Sequence, residues 1–590
     1  MSRSKIKKDF KEAIRLAKIV RVNMTDRSIK FEDVPEKYRF LGGRALTSSI
    51  VVDEVDPACH PLGPNNKLVV APGMIAGTAA PSSGRLSVGG KSPLTGTIKE
   101  ANAGGIPGQL LGRLGIKAII VEGQPRDKEF YLLKIDSTGA QLVSASEISG
   151  KGMYETNALL WKKYGSGAGI IGIGPAGEMK LLNAGVSCND SENSPGRYAG
   201  RGGLGAVMGS KGLKAIVVSA EKGLQVPLAD KELFDRGRKK MVDALLKHPV
   251  TSQTLPTYGT AALVNVLNEA GGLPTRNFSA GRFEGAAKTG GEAMAEINPQ
   301  RGGTMSHPCH PGCVIRCSNI YHRPDGSHHV SPIEYESTWA LGANCGIDNL
   351  DDIAELNRIC NDVGLDTIET GCTLAVAMEA GLARFGDGKK AIELLSEVGK
   401  GSALGRILGN GTEYTARAFG VTRCPTVKGQ SMPAYEPRVI KGIGVTYATT
   451  PMGADHTAGY TIATEVLKVG GEADPSDVNK ADLARAFQAV TMFVDSTGYC
   501  LFVTFATSDY PEALEGMVET INGTLGTNWS TADVLRLGKE WLKKERKFNE
   551  AAGFTNKDDR LPEFMKYEKL PPHDAVWNVS DEILDAVHNY

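Results

Sequence analysis

The residues best suited to chemistry in this chain are four cysteines. Cys309, Cys313 and Cys317 fall in HPCHPGCVIRC, and Cys500 falls in DSTGYC. Pro311 and Gly312 interrupt any regular helix through the first stretch, so a loop folded around something is expected there. Three clustered thiolates with one remote thiolate recur as the ligands of iron–sulfur clusters, which implies one-electron transfer. The same cysteines with His307 or His310 would also suit a structural zinc site. Intracellular cysteines are also often inert buried hydrophobes. Spacing alone leaves these readings open.

The glycines are a second chemical signal. Gly115-Ile-Lys-Ala-Ile-Ile-Val121 recurs as Gly212-Leu-Lys-Ala-Ile-Val-Val218, an offset of 97 residues. Each copy follows a glycine-rich loop, Asn102-Ala-Gly-Gly105 in the first and Ala199-Gly-Arg-Gly202 in the second. The same offset pairs Asn102 with Ala199. Glycine-rich backbone can present N–H groups to phosphate oxygens. Two such loops predict a pseudo-twofold domain facing a ligand with two phosphates, or two ligands with one each. Gly172-Ile-Gly174-Pro-Ala-Gly177 also fits a dinucleotide fingerprint, as does Gly200-Arg-Gly202-Gly-Leu-Gly205. The helix that should follow the first is broken within a few residues by Asn183-Ala-Gly185, which argues against a nicotinamide site.

A third signal is a pair of helix ends. Asn361-Asp-Val-Gly364-Leu365-Asp366 closes one amphipathic stretch and Asp495-Ser-Thr-Gly498-Tyr499-Cys500 closes another. In each, a polar residue is followed by glycine three positions on, the residue that suits a helix C-terminus. Freed polar groups there could face one shared ligand. Cys500 would then belong to that ligand's site and to the cysteine site, making the two neighbours.

The elements that must position these motifs divide the chain in three. Residues 1–220 read as β-rich, with short apolar runs such as Lys67-Leu-Val-Val-Ala71 bounded by Gly, Pro and Asn. Residues 221–420 and 421–590 read as mainly helical, with a turn-rich boundary between Gly420 and Pro437. Asp351 to Val363 places Ile353, Leu356, Ile359, Cys360 and Val363 on one face; Ala481 to Val494 does the same with Leu483, Phe487, Val490 and Val494. The expected fold class is α+β, a β-rich base followed by two mainly helical domains.

Bulk properties exclude several classes. The chain has 590 residues, 67 basic and 67 acidic, for a formal net charge of zero. That offers no electrostatic case for nucleic acid or a membrane surface. Apolar runs are strand-sized, so no membrane span is expected. Ten cysteines in so long a chain do not make a disulfide scaffold, and a reducing, cytoplasmic setting is expected. One local exception is the stretch from Arg3 to Arg21, with eight basic residues against Asp9 and Glu12. It reads as a solvated helix or, alternatively, a docking segment for an acidic partner.

Taken together, these stretches resemble the tungsten-containing aldehyde ferredoxin oxidoreductases, from about Ile19 to the end. The resemblance also rests on Leu41-Gly-Gly-Arg44, Gly84-Arg85-Leu-Ser, Lys91-Ser-Pro-Leu-Thr-Gly96 and Gly202-Gly-Leu-Gly-Ala-Val-Met-Gly-Ser-Lys211. It implies two pyranopterin dithiolenes on one tungsten (or molybdenum) and a neighbouring 4Fe–4S cluster. Cys309, Cys313, Cys317 and Cys500 would be the cluster ligands. Arg85, Asn102 and Ala199, with Gly200 and Arg201 in the same loop, would hold the pterin phosphates and a bridging magnesium. Asn361, Gly364 and Leu365 would form one pterin motif, with Asn where Asp is usual, and Asp495, Gly498 and Tyr499 the other. Glu336 and His456 would be the acid–base residues, with Glu334 the rival carboxylate. Some members bind an interfacial iron through Glu-x-x-His; here the stretch is Glu355-Leu-Asn-Arg358, and arginine does not ligate iron. The implied activity is oxidation of small aldehydes to carboxylic acids, with electrons passed to a ferredoxin or ferredoxin-like subunit, within a larger complex if further subunits are present. The alternatives are a benzoyl-coenzyme A reductase-type tungsten subunit and a zinc-bound scaffold without catalysis.

Overall fold

The computed structural model describes residues 17–590; most of the basic N-terminal stretch lies outside the described residues. The N-terminal base contains two six-stranded sheets. The first is built from β1 (Lys18–Asn23), β2 (Ser28–Asp33), β3 (Leu68–Pro72), β4 (Leu86–Lys91), β5 (Ile98–Ala103) and β6 (Ile116–Glu122). The second is built from β7 (Tyr131–Asp136), β8 (Gly139–Ser144), β9 (Gly169–Gly172), β10 (Val186–Cys188), β11 (Arg197–Ala199) and β12 (Leu213–Val218). The first sheet runs β2-β1-β6-β3-β4-β5 and the second runs β8-β7-β12-β9-β10-β11. These are the same topology twice, with one parallel pair in each, β1 with β6 and β7 with β12. Both parallel pairs shift register at the lysine of the repeated motif, Lys117 and Lys214.

Alternation along the strands explains the layering. Ile119 and Val121 of β6 share a core with Ile216 and Val218 of β12, between the sheets. Ala118 and Ile120 face the opposite way, into the core shared with the helices. Strands covered on both faces are continuous apolar runs rather than alternating ones, and the repeated motif was recognisable for that reason. The edge strands β5 and β11 pack against each other, which brings the two glycine-rich loops together.

Register refines the repeat. Ser87 pairs with Asn102 across β4 and β5, and Ser187 pairs with Tyr198 across β10 and β11. The position equivalent to Asn102 is therefore Tyr198, and Ala199 matches Ala103. The offset of 97 holds for β6 and β12 but not for β5 and β11, because the loop after β11 is one residue longer. The pairing of Asn102 with Ala199 is corrected by one position.

The remaining chain is mainly helical, with two small additions. A three-stranded sheet of β13 (Thr304–His307), β14 (Ser318–His322) and β15 (His328–Val330) carries the cysteine loop, and a short hairpin pairs β16 (Thr426–Val427) with β17 (Gln430–Ser431). Cys309 and Cys313 lie between β13 and β14, and Cys317 directly precedes β14. The expected helices form over Leu350–Val363 and Ala481–Thr497, each closed by a glycine in the left-handed region, Gly364 at φ 89° and Gly498 at φ 94°. The helix Lys231–Lys247 packs on Pro511–Leu525, so the head of the middle segment shares a core with the last one. Among the described residues no helix is long and apolar enough to cross a membrane.

Candidate active site

The two helix ends dock on equivalent places in the two sheets. Gly498 meets Gly73, just after β3; a Cβ on Gly73 would lie 2.1 Å from the Gly498 Cα. Gly364 meets Gly174, which follows β9 as Gly73 follows β3; a Cβ on Gly364 would lie 2.8 Å from the Gly174 nitrogen. The backbone N–H of Arg85 donates to the Gly498 carbonyl, and that of Gly185 donates to the Gly364 carbonyl. Register makes Arg85 and Gly185 equivalent. Gly174 of the apparent dinucleotide fingerprint thus serves close backbone approach, a Cβ there lying 2.2 Å from the Val363 carbonyl oxygen.

One cavity of about 370 Å³ lies between the sheets and these helix ends. Arg85, Asn102, Gly200, Arg201, Asn361, Leu365, Asp495, Glu336, His456, Cys309, Cys317 and Cys500 all line it, as does Glu334. Ala199, Gly364, Gly498, Tyr499 and Cys313 do not line it; the two glycines shape the backbone, and Ala199 and Tyr499 are fully buried.

The cysteine loop is tied to the first sheet and to Cys500 through one residue that sequence reading missed, Ser82. Its N–H donates to the Gly312 carbonyl, its carbonyl accepts from the Cys500 N–H at 2.8 Å, and its hydroxyl accepts from the Val314 N–H. Ser82 is non-glycine at φ 52°, an uncommon conformation, and no motif announces it. Gly105 donates to the Cys309 carbonyl. Among the described residues no group of three or more His, Cys, Asp or Glu side chains is gathered for a single metal ion. Cys309, Cys317 and Cys500 share one cavity wall.

Arg85 joins the cysteines to the cavity. Its Nη2 lies 3.6 Å from the Cys500 Sγ and its Nη1 donates to the Asn102 Oδ1 at 3.2 Å. Burial opposes its charge, but the neighbouring Cys500 and Cys309 sulfurs more than offset that and hold its pKa above the usual range. Across the cavity, Arg201 Nε donates to Asp366 Oδ2 at 3.1 Å, while its other nitrogens bind the carbonyls of Ala454 and Ser431.

Glu336 lies in the first turn of the helix Tyr335–Leu341 and faces His456. Its Oε1 lies 3.3 Å from the His456 Nε2, and its Oε2 accepts from the Ala434 N–H at 3.1 Å. Burial pushes the carboxyl up to about 8 and the imidazole down to about 4, because each loses solvation when charged. At neutral pH both are uncharged. Glu334 points elsewhere: Thr260 donates to its Oε2 at 2.7 Å, and Arg197 lies 3.8 Å from its Oε1. Four further carboxyls line the cavity, Glu100, Asp366, Asp455 and Asp495; burial pushes Glu100 and Asp495 up to about 8 and about 7. Sequence reading passed over Glu100 because nothing marks a carboxylate in a strand as ligand-facing.

Several buried polar atoms on this wall lack a partner: Arg85 Nε, Glu100 Oε1, Glu336 Oε1, Asn361 Nδ2 and His456 Nδ1. Arg197 Nε is a sixth; buried polar groups are normally satisfied, so six orphans from both halves around one space fit a large polar organic ligand. Elsewhere, Glu355 is held by Arg358 at 2.6 Å and by His329 at 2.8 Å.

Comparison with known proteins agrees in extent. Residues 19–220 match the model "Aldehyde ferredoxin oxidoreductase, N-terminal domain" and residues 236–590 match "Aldehyde ferredoxin oxidoreductase, domains 2 & 3". The tungsten-containing aldehyde ferredoxin oxidoreductase of Pyrococcus furiosus is 39% identical over 577 residues, covering 94% of this chain and 92% of that protein. Its Pyrococcus abyssi counterpart is 40% identical over 579 residues with the same coverage. A solved structure of the active site complex BamBC of benzoyl coenzyme A reductase with 1,5-dienoyl-CoA superposes with a TM-score of 0.80 at 20% identity, covering 98% of this chain and 94% of that one; it speaks to the fold alone. With both family models matched and identity near two-fifths across almost the whole length, the chain belongs to the aldehyde ferredoxin oxidoreductase family.

Proposed function

We propose that this protein oxidises aldehydes to carboxylic acids at a tungsten or molybdenum bis-pyranopterin centre, and passes the electrons through a 4Fe–4S cluster to a ferredoxin-type acceptor. The observation that carries this reading is the single cavity lined by both helix-end motifs, three of the four cysteines and the Glu336–His456 pair. Asn361 with Gly364 and Leu365, and Asp495 with Gly498 and Tyr499, would hold the two pterins. Arg85, Asn102 and the loop Ala199, Gly200, Arg201 would hold their phosphates and a magnesium ion. Cys309, Cys313, Cys317 and Cys500 would hold the cluster, with Arg85 between it and the organic cofactor.

When bound, the metal centre supplies a two-electron acceptor and a Lewis acid. The chain's own part is proton handling and exclusion of water. Oxidation of an aldehyde or its hydrate releases protons as electrons leave. Glu336, once ionised, would receive one at Oε1, which lies 3.3 Å from the His456 Nε2. A base with pKa near the working pH is the efficient choice, and burial sets Glu336 there. Tyr335, Tyr435 and Tyr460 line the cavity beside the pair. The Tyr435 and Tyr460 hydroxyls bond each other at 3.0 Å, closing that side with rings.

The fold likeness to a benzoyl-coenzyme A reductase subunit motivates a second reading, but identity of 20% against about 40% favours aldehyde chemistry. Anaerobically purified protein should contain tungsten or molybdenum and about four irons per chain. It should reduce a viologen dye with benzaldehyde. Dye-linked turnover of benzoyl-coenzyme A without aldehyde oxidation would favour the second reading, and zinc as the sole metal would sink both.

A further inference from the structure

The two halves of the cavity follow one plan but differ in charge, and the difference centres on a residue no motif covers. Register places Glu100 of β5 opposite Gly89, and carries it onto Gly196, just before β11, in the second copy. Both positions line the cavity. The helix end docked on the first copy begins with Asp495, and the one docked on the second begins with Asn361. At these two positions one half presents carboxyls, Glu100 and Asp495, where the other presents Gly196 and Asn361; the distal half's own carboxylate, Asp366, is paired with Arg201 at 3.1 Å. The acidic half is the one beside the cysteines, since Arg85 and Gly104 of the first copy approach Cys500 and Cys309.

The acidic half is also braced from behind by the otherwise unexplained Leu41-Gly-Gly-Arg44 motif. A Cβ on Gly43 would lie 2.2 Å from the Asp495 carbonyl oxygen, so the chain must be bare there. Arg44 is fully buried and donates twice to Glu545, at 3.0 and 2.7 Å. Ser48 donates to the same carboxylate at 2.7 Å. The remaining Arg44 nitrogen, Nη1, lies 3.7 Å from Asp495 and has no hydrogen-bond partner. Glu545 takes both bonded edges of Arg44, so Arg44 makes no hydrogen bond to Glu100 or Asp495, and Arg85 is the other cation on this wall. Glu100 is 3% exposed and its Oε1 is unpartnered. Such a group is costly to bury without a donor.

We propose that Glu100 is a cofactor-contacting residue. With Asp495 it forms an acceptor pair for the N–H edge of the heterocycle in the cluster-side half of the cavity, and Arg44 acts as the positioning residue for Asp495. The ligand chemistry implied is an amino-substituted, N–H-rich ring, which two carboxyl groups match and which Gly196 and Asn361 do not bind in the same way. The two heterocycles are consequently held unequally, the tighter one beside the cysteines. This inference rests on the bis-pyranopterin reading above.

The test uses full-length protein prepared anaerobically. Wild-type protein without pterin overturns the cofactor reading itself; the remaining outcomes bear on Glu100. Glu100→Gln puts an NH2 donor where a carboxyl oxygen faces the ring N–H edge, and should speed pterin release about tenfold, a typical cost for one lost contact. Release is followed as the fluorescent oxidised pterin, and the paramagnetic signal of the metal centre should change shape. A folded Glu100→Gln protein with wild-type release and an unchanged signal overturns the proposal. If that variant does not fold, Glu100→Asp keeps the carboxyl but withdraws it from the cavity, and wild-type release from it is equally fatal. A holoenzyme crystal structure decides independently: Glu100 should lie within about 3.2 Å of a ring nitrogen, and separation by a protein side chain would end the idea.

Discussion

The cluster-side and distal halves of the cavity are built from one repeated sheet, yet each holds its helix end with a different partner. On the cluster side the last residue of the motif is Cys500, and Arg85 reaches it from the start of β4. On the distal side it is Asp366, and Arg201 reaches it from the loop after β11. The two arginines are not equivalent in the repeat, since register places Gly185 opposite Arg85. The backbone framework is common: Gly73 against Gly498, Gly174 against Gly364. The two copies share the docking of backbone, where sterics leave no freedom, and differ in the side chains around it. Asp366 caps the helix Thr367–Glu379 by accepting from the Ile368 N–H, a structural task that Cys500 does not share.

The most severe way to break this comparison is to remove its asymmetry. Cys500→Ala should abolish or alter the reduced-cluster paramagnetic signal and lower iron content, with aldehyde-dependent dye reduction falling with it. An unchanged signal with full iron would show that the fourth ligand lies elsewhere.

The proton pair sits between the halves and should give the next largest effect. Glu336→Gln keeps the shape but removes the acid–base group, so kcat should fall roughly 10²–10⁴-fold where proton transfer limits turnover. Metal content should stay constant. A His456 change should add little on top, since residues acting as a unit are not additive. The pH dependence follows from the raised carboxyl. Glu336 is protonated below about 8 and accepts a proton only above it, so the wild-type rate should climb as pH passes about 8. That limb should be absent in Glu336→Gln. Near-normal turnover in a fully metallated variant would move the role away from Glu336; Glu334 is the remaining carboxylate, although Thr260 and Arg197 occupy it.

The smallest effect concerns the shared framework. Gly498→Ala and Gly364→Ala each force a side chain into a left-handed position, with neighbouring backbone 3.1 and 2.8 Å from the new Cβ. Each should cost about 1–3 kcal/mol, read as similar losses of thermal stability in the two variants. Cluster loss should accompany only Gly498→Ala, because Cys500 lies two residues beyond it.

Much of this was legible in the sequence, and the reasons differ by feature. The repeat around Lys117 and Lys214 could be read because strands buried on both faces must be continuous apolar runs. The two helix ends could be read because a left-handed C-terminus selects glycine. The cysteine loop could be read because Pro311 and Gly312 exclude a helix. Such constraints act within a few residues of chain, so the amino-acid order alone was enough to determine them. Register, and everything that depends on it, was decided by tertiary packing. The match of Asn102 to Tyr198 instead of Ala199, the convergence of Ser82 on both cysteine segments, and the exposure of Glu100 to the cavity all depend on contacts between residues far apart in sequence. Glu336 and Glu334 show the same limit at its finest scale. They are two residues apart and chemically identical, and only the packing of His456 on one side and Thr260 on the other tells them apart.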